Sequence, residues 1–181
     1  MRATTIAAAM VTALAAGGCA TRAPVESDMP GPALGTAQAD LRDAGGRTVA
    51  RASATQVGDS LQVRVEAAGL APGSYGAHIH SSGRCDPPGF ESAGPHWNPS
   101  NREHGRENPR GQHRGDLPNL MVGTDGQGSF EFTVPGAFLS ARSGELMDAD
   151  GASILIHARP DDYRTDPSGN SGARIACGVF G

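Results

Sequence analysis

No lysine occurs in this chain: all fifteen basic residues are arginine, set against nineteen acids. With a formal net charge of −4 it lacks the basic excess that nucleic acid or an anionic membrane surface would select. Aromatics are scarce, at one tryptophan, two tyrosines and five phenylalanines, and no segment carries a convincing amphipathic helical pattern. The apolar run Ile6–Ala16 is too short to span a bilayer as a stable anchor. Cysteine is limited to Cys19, Cys85 and Cys177. In their place stand 26 glycines and 13 prolines, a composition of turns and short strands. At 181 residues the chain has room for one domain with a real core, plus an N-terminal extension.

That extension reads as a targeting segment. Arg2 supplies a minimal positive region, Ile6–Ala16 the apolar stretch, and Gly17-Gly18-Cys19 a small-residue cleavage point. Residues 1–18 form a leader resembling a bacterial lipoprotein signal, in which Cys19 becomes the lipidated first residue. The alternative is an ordinary secretory signal in which Cys19 is removed or idle. Residues 19–33, stiffened by Pro24, Pro30 and Pro32, form a tether to a domain at 34–181. Export leaves Cys85 and Cys177 as a possible pair in an oxidising compartment rather than two unrelated buried thiols. Closing so long a loop contributes about 4–5 kcal/mol in the chain-entropy model.

Beyond the tether, short alternating runs take over. GTAQADLRD and GRTVARASATQ flank the turn at Ala44-Gly45-Gly46. In SLQVRVEAAGL, Leu61, Val63 and Val65 share one face while Gln62, Arg64 and Glu66 share the other. SYGAHIH continues as a strand, NLMVGTDGQGSFEFTV reads as a hairpin turning at residues 125–128, and ASILIHA and ARIACGVFG complete the set. About eight strands with hairpin spacing predict an all-β sandwich or barrel. The stretch from Ser81 to about Asp116 is too long and irregular for an ordinary connection, and such loops are usually functional.

All six histidines fall at spacings that suit metal coordination: His78, His80, His96, His104, His113 and His157. Neutral imidazole is a borderline-soft donor to zinc or copper near pH 7. His78 and His80 share one face of a strand, with Ile79 on the other. Alone that pattern is weak. His104, His113 and Asp116 offer three corners of a tetrahedral zinc site from one loop, and His96 could serve either group. The residues thus divide into two metal sites.

GAHIH, GRC, AGPHWNP, EHG, HRGDLPN, ILIHARPDD and GNSGARIACGVFG, in this order, resemble copper/zinc superoxide dismutase from Leu34 to Gly181. The resemblance implies an eight-stranded Greek-key β-barrel with two long functional loops. It implies copper on His78, His80, His96 and His157, and zinc on His96, His104, His113 and Asp116, with His96 bridging the two. Asp161 matches a carboxylate linking ligands of the two metals. Arg174 matches the arginine that receives superoxide beside copper, making Arg174 and His96 the expected catalytic pair. Cys85 and Cys177 are then the expected disulfide.

The second loop, Asp161 to Ala173, is shorter than in eukaryotic members and lacks their Glu and Lys cluster, so anion guidance is expected from other arginines, Arg164 and Arg114 being candidates. The implied reaction is superoxide dismutation, by a monomer or homodimer of periplasmic or cell-envelope location, touching membrane only through an N-terminal lipid. A copper carrier on the same fold, and an adhesion module binding stray zinc, are the rival readings. Neither accounts for Asp116, Asp161, Arg174 and both cysteines standing together.

Overall fold

The computed structural model describes residues 33–140 and 144–181; Cys19 and the stretches expected to be leader and, nearly all of it, tether lie outside the described residues. Nine strands follow in order: β1 (Ala33–Asp43), β2 (Thr48–Val57), β3 (Ser60–Ala68), β4 (Gly73–Tyr75), β5 (Ala77–His80), β6 (Leu120–Val122), β7 (Gln127–Pro135), β8 (Ser153–His157) and β9 (Arg174–Val179). One 3-10 turn, Glu91–Ala93, interrupts the long loop. Seven strands make one curled antiparallel sheet in the order β5-β8-β9-β1-β2-β3-β7, and β4 pairs with β6 alone. The meander β1-β2-β3 is flanked by β9 and β7, which return over long connections as in a Greek key.

The alternating pattern in β3 folds as read: Leu61, Val63 and Val65 are fully buried while Arg64 and Glu66 face solvent. Across the ladder, Ala52 pairs with Val65 and Ala54 with Val63, so small residues opposite branched ones keep the core thin and dense.

Two details differ from the sequence reading. Among the described residues the all-β fold has nine strands, one more than the approximate count, because SYGAHIH breaks at Gly76. Its first part pairs with β6 and its second with β8. A side chain at Gly76 would meet Ser171 Cβ at 2.8 Å, and its backbone bonds Arg159 and His157 instead of continuing the ladder. The turn before β7 does form, with Gly123 N–H donating to Gln127 C=O at 2.8 Å, but β6 and β7 do not make the expected hairpin ladder. They diverge to β4 and β3 respectively.

Strands β5 and β8 are buried on both faces. Ala77, Ile79, Ile154 and Ile156 join the main core. On the opposite face Leu155 and Cys177 pack with Phe90 and Ala93 under the long loop. His78, His80 and His157 belong to that outer face, between barrel wall and loop.

Candidate metal centre

Backbone pairing brings the loop ligands to the strand ligands. Ile79 N–H donates to Gly115 C=O (2.9 Å), Trp97 N–H to Ile79 C=O (2.8 Å) and Gly115 N–H to Trp97 C=O (2.9 Å). Loop residues 96 and 116 thereby sit opposite His80 and His78 as isolated bridges. Gly115 is obligatory here, since a Cβ would lie 2.3 Å from the Ile79 carbonyl oxygen. The other end of the loop is fastened by a disulfide between Cys85 and Cys177, Cα atoms 5.6 Å apart.

Four imidazole nitrogens are buried and have no hydrogen-bond partner among the described residues: His78 Nδ1, His80 Nε2, His96 Nε2 and His157 Nε2. These four histidines place ligand atoms within 4.8 Å of one another. The opposite ring nitrogens are all engaged. His80 Nδ1–H donates to Gly94 C=O (2.9 Å), His157 Nδ1–H to Gly172 C=O (3.1 Å) and His78 Nε2–H to Asp161 Oδ2 (2.7 Å). Each such bond fixes the tautomer and turns the free lone pair toward a common point. Burial pushes His78 down to about 3 and His157 down to about 4, and holds His80 well below its ordinary value. All three are therefore neutral donors near pH 7. Buried polar atoms without partners are rare, and four converging on one point fit a bound copper ion.

The second cluster is tighter. Asp116 Oδ1 lies 2.9 Å from His96 Nδ1, 3.0 Å from His104 Nδ1 and 3.2 Å from His113 Nδ1, and the His96 and His113 nitrogens are 3.3 Å apart. A tetrahedron with bonds of about 2.0–2.1 Å has edges of about 3.3–3.4 Å, so this donor set matches a closed zinc site. Burial alone would raise the Asp116 carboxyl; hydrogen bonds from His104, His113 and His96 outweigh it and hold it far below the carboxylate range. His104 is half the reciprocal case. Burial opposes its protonation, yet Asp116 and Asp161 together raise it to about 9. His96 faces both clusters, Nε2 toward the first and Nδ1 toward the second.

Asp161 joins the two groups from behind, accepting from His78 Nε2 through one oxygen (2.7 Å) and from His104 Nε2 through the other (3.0 Å). Gly169 leaves space for that carboxylate, since a Cβ there would sit 1.8 Å from Asp161 Oδ1.

A cavity of about 850 Å³ opens over the first cluster, lined by His80, His96, His157 and Arg174 among others. Arg174 Nη1 donates to Phe90 C=O (2.7 Å) and Nη2 to Gly94 C=O (2.8 Å). Gly94 C=O thus receives both Arg174 and His80. Neither Arg164 nor Arg114 lines this cavity. Arg164 pairs with Glu107 at 2.6 Å, and Arg114 donates to Pro135 C=O. Arg102, not singled out from the sequence, does line it, its backbone clasped in both directions by Asn98. Gly144, Glu145 and Asp148, from the connection between β7 and β8, form another part of the wall. That segment carries no strand or ligand pattern; buried Leu146, with Leu146 and Met147 N–H donating to the Phe138 and Leu139 carbonyls (2.8 Å each), helps place it here.

A family model described as copper/zinc superoxide dismutase (SODC) matches residues 47–180. Superoxide dismutase [Cu-Zn] 1 of Aquifex aeolicus is 41% identical over 145 residues, covering 78% of this chain and 85% of that one. Superoxide dismutase [Cu-Zn] of Caulobacter vibrioides is 42% identical over 144 residues, covering 78% and 80%. Superoxide dismutase-like protein YojM of Bacillus subtilis is 48% identical over 124 residues, which span 67% of this chain and 63% of that relative's length. The crystal structure of a SOD-like protein from Bacillus subtilis superposes with a TM-score of 0.74 at 42% identity, covering 78% of this chain and 96% of that one. With both donor clusters intact, the chain belongs to the copper/zinc superoxide dismutase family, and its cofactors are copper and zinc.

Proposed function

We propose that the protein dismutes superoxide in the cell envelope, with the ligand set and catalytic pair read from the sequence. The observation that carries this reading is the convergence of four unpartnered imidazole nitrogens beneath an open cavity, one ring shared with a closed tetrahedral set. Bound there, copper supplies a one-electron redox couple and zinc a fixed charge that orders the loop.

The chain's own residues do the rest. Two superoxide anions and two protons become dioxygen and hydrogen peroxide, so the site must attract an anion and deliver protons. Arg174, held on two loop carbonyls, keeps a planar cation at the cavity wall for the incoming anion. Among the described residues Arg102 is the other arginine lining that wall, and it takes the guiding role first expected of Arg164 and Arg114. His96 Nε2, one of the four nitrogens that would hold copper, would take up a proton only when released from that role and pass it to the nascent peroxide, while its Nδ1 stays in the second cluster. Asp161 keeps the His78 and His104 rings oriented.

The disulfide fits an oxidising compartment. Acylation of Cys19, with residues 19–33 as tether, would then hold a domain of residues 34–181 at the membrane surface, as a monomer or homodimer. Stable anchoring takes two or more acyl chains, because one gives only marginal binding.

Elemental analysis of protein reconstituted with both metals, followed by superoxide consumption, tests the enzymatic reading. The expected result is about one copper and one zinc per chain with rapid turnover. Zinc alone in excess copper, or copper bound without turnover, overturns it. For the anchor, Cys19→Ala should move the protein from membrane to soluble fraction, and equal release from wild type means an ordinary signal peptide.

A further inference from the structure

Arg106 lies outside the cavity and has no carboxylate partner among the described residues, yet its guanidinium carbon sits 5.6 Å from the Phe132 ring centroid and 5.4 Å from that of Tyr163. Phe132 belongs to β7, in the barrel wall. Tyr163 belongs to the second loop, two residues past Asp161. Arg106 itself is two residues past His104. One side chain therefore ties the barrel wall, the long loop and the second loop together at a single point.

What Tyr163 holds gives this point its meaning. Its N–H donates to Asp161 Oδ1 (2.6 Å), the oxygen that also accepts from His104 Nε2. Its hydroxyl accepts from Asn119 N–H (2.8 Å), and Asn119 clasps the Asp161 backbone with both atoms of its amide, at 2.9 and 2.8 Å. Its carbonyl accepts from Glu107 N–H (3.0 Å), and Arg164 closes onto the Glu107 carboxylate. Gly105, between His104 and Arg106, approaches so closely that a Cβ would lie 2.2 Å from the Tyr163 oxygen. The two loops are zipped together here, and the guanidinium fastens the zipped pair to β7. A guanidinium suits this place because its delocalised charge can interact with more than one aromatic ring at once.

We propose that Arg106 is a positioning residue of the metal centre. Seated over the rings of Phe132 and Tyr163, it fixes the backbone that aims Asp161 at His104 and so sets how firmly zinc is held. This rests on the two-metal reading above, and wild-type zinc binding is the separate check on that reading.

The experiment loads full-length mature protein with copper and zinc and follows zinc transfer to a chromophoric chelator. Arg106→Ala should weaken zinc retention by about tenfold, the range seen when outer partners of metal ligands are removed. Arg106→Lys should recover part of this, keeping the charge but not its delocalisation. Phe132→Leu, which keeps an apolar contact with the core while removing the ring face, should fall on the same side as Arg106→Ala. The Tm of the metal-free protein should change little and that of the zinc-loaded protein fall, and the visible spectrum of bound copper(II) should stay as in wild type. Zinc retention equal to wild type in both Arg106→Ala and Phe132→Leu overturns the proposal, as does an equal drop in metal-free and zinc-loaded Tm. Wild type that binds no zinc overturns the two-metal reading, and this proposal with it.

Discussion

A guanidinium stays protonated and cannot coordinate a cation, so Arg174 can serve this centre only through charge and hydrogen bonding. Its two bonds to Phe90 and Gly94 carbonyls leave the metal ligands' own partners untouched except at Gly94, which it shares with His80. Arg174→Ala is expected to keep copper and zinc while losing much of the superoxide-dependent rate, with Arg174→Lys losing less. The salt dependence of the remaining rate should flatten, since added ions weaken attraction of an anion. Metal content and rate measured over a range of ionic strength check this, and an Arg174→Ala variant as fast as wild type at low salt would falsify the assignment. Residue type explains what could be read in advance. Few side chains bind copper or zinc, so the His and Asp positions announce themselves. Arginine has many uses, and nothing in the string separates Arg164, spent on Glu107, from Arg102 at the cavity wall. The placement of Arg106 was equally unreadable, because Phe132 and Tyr163 are remote in sequence and meet it only in the folded chain.

At the scale of elements, the centre depends on close backbone approach. Gly115→Ala would drive a methyl carbon to about 2.3 Å from the Ile79 carbonyl oxygen, so the loop must lift from β5 and take His113 and Asp116 with it. A cost on the order of 1–3 kcal/mol is expected from overpacking, together with reduced zinc content. Thermal melts and metal analysis would show it, and unchanged zinc retention would mean that the loop finds another route. The disulfide acts at the opposite end: Cys177→Ser should cost about 2–5 kcal/mol in denaturant unfolding, because it frees a loop that carries every zinc ligand. A period-two pattern gives β3, since one buried face is enough to write it; β5, buried on both faces, alternates only between histidine and apolar residues. Neither pattern could give the break at Gly76 or the divergence of β6 from β7. Those follow from where Arg159, Ser171 and β3 lie after folding, and alternation alone does not encode a partner.

On the scale of the whole molecule, the two donor sets stand in different relations to the fold. His78, His80 and His157 are carried by β5 and β8, whose inner faces are locked into the main core, so three of four copper ligands are already in place. His96, His104, His113 and Asp116 all lie in the connection between β5 and β6, which has no ladder of its own beyond isolated bridges. A metal that binds the folded chain and not the unfolded one adds RT ln(1 + [L]/Kd), about 4 kcal/mol at a thousandfold excess over Kd and so a Tm rise on the order of 10 °C for a domain of this size. Zinc should account for more of that rise than copper does, because all four of its ligands lie in the loop, whereas copper takes one ligand from the loop and three from strands locked into the core. Stripping both metals with a chelator and restoring them singly separates the two: zinc alone should recover most of the lost Tm, copper alone the smaller part. Acidification should shrink both gains, since protons compete with metal for the same imidazole nitrogens and for Asp116. If copper alone restored the full Tm while zinc did nothing, the loop would be held by the disulfide and its barrel contacts, and the second cluster would have no part in stability.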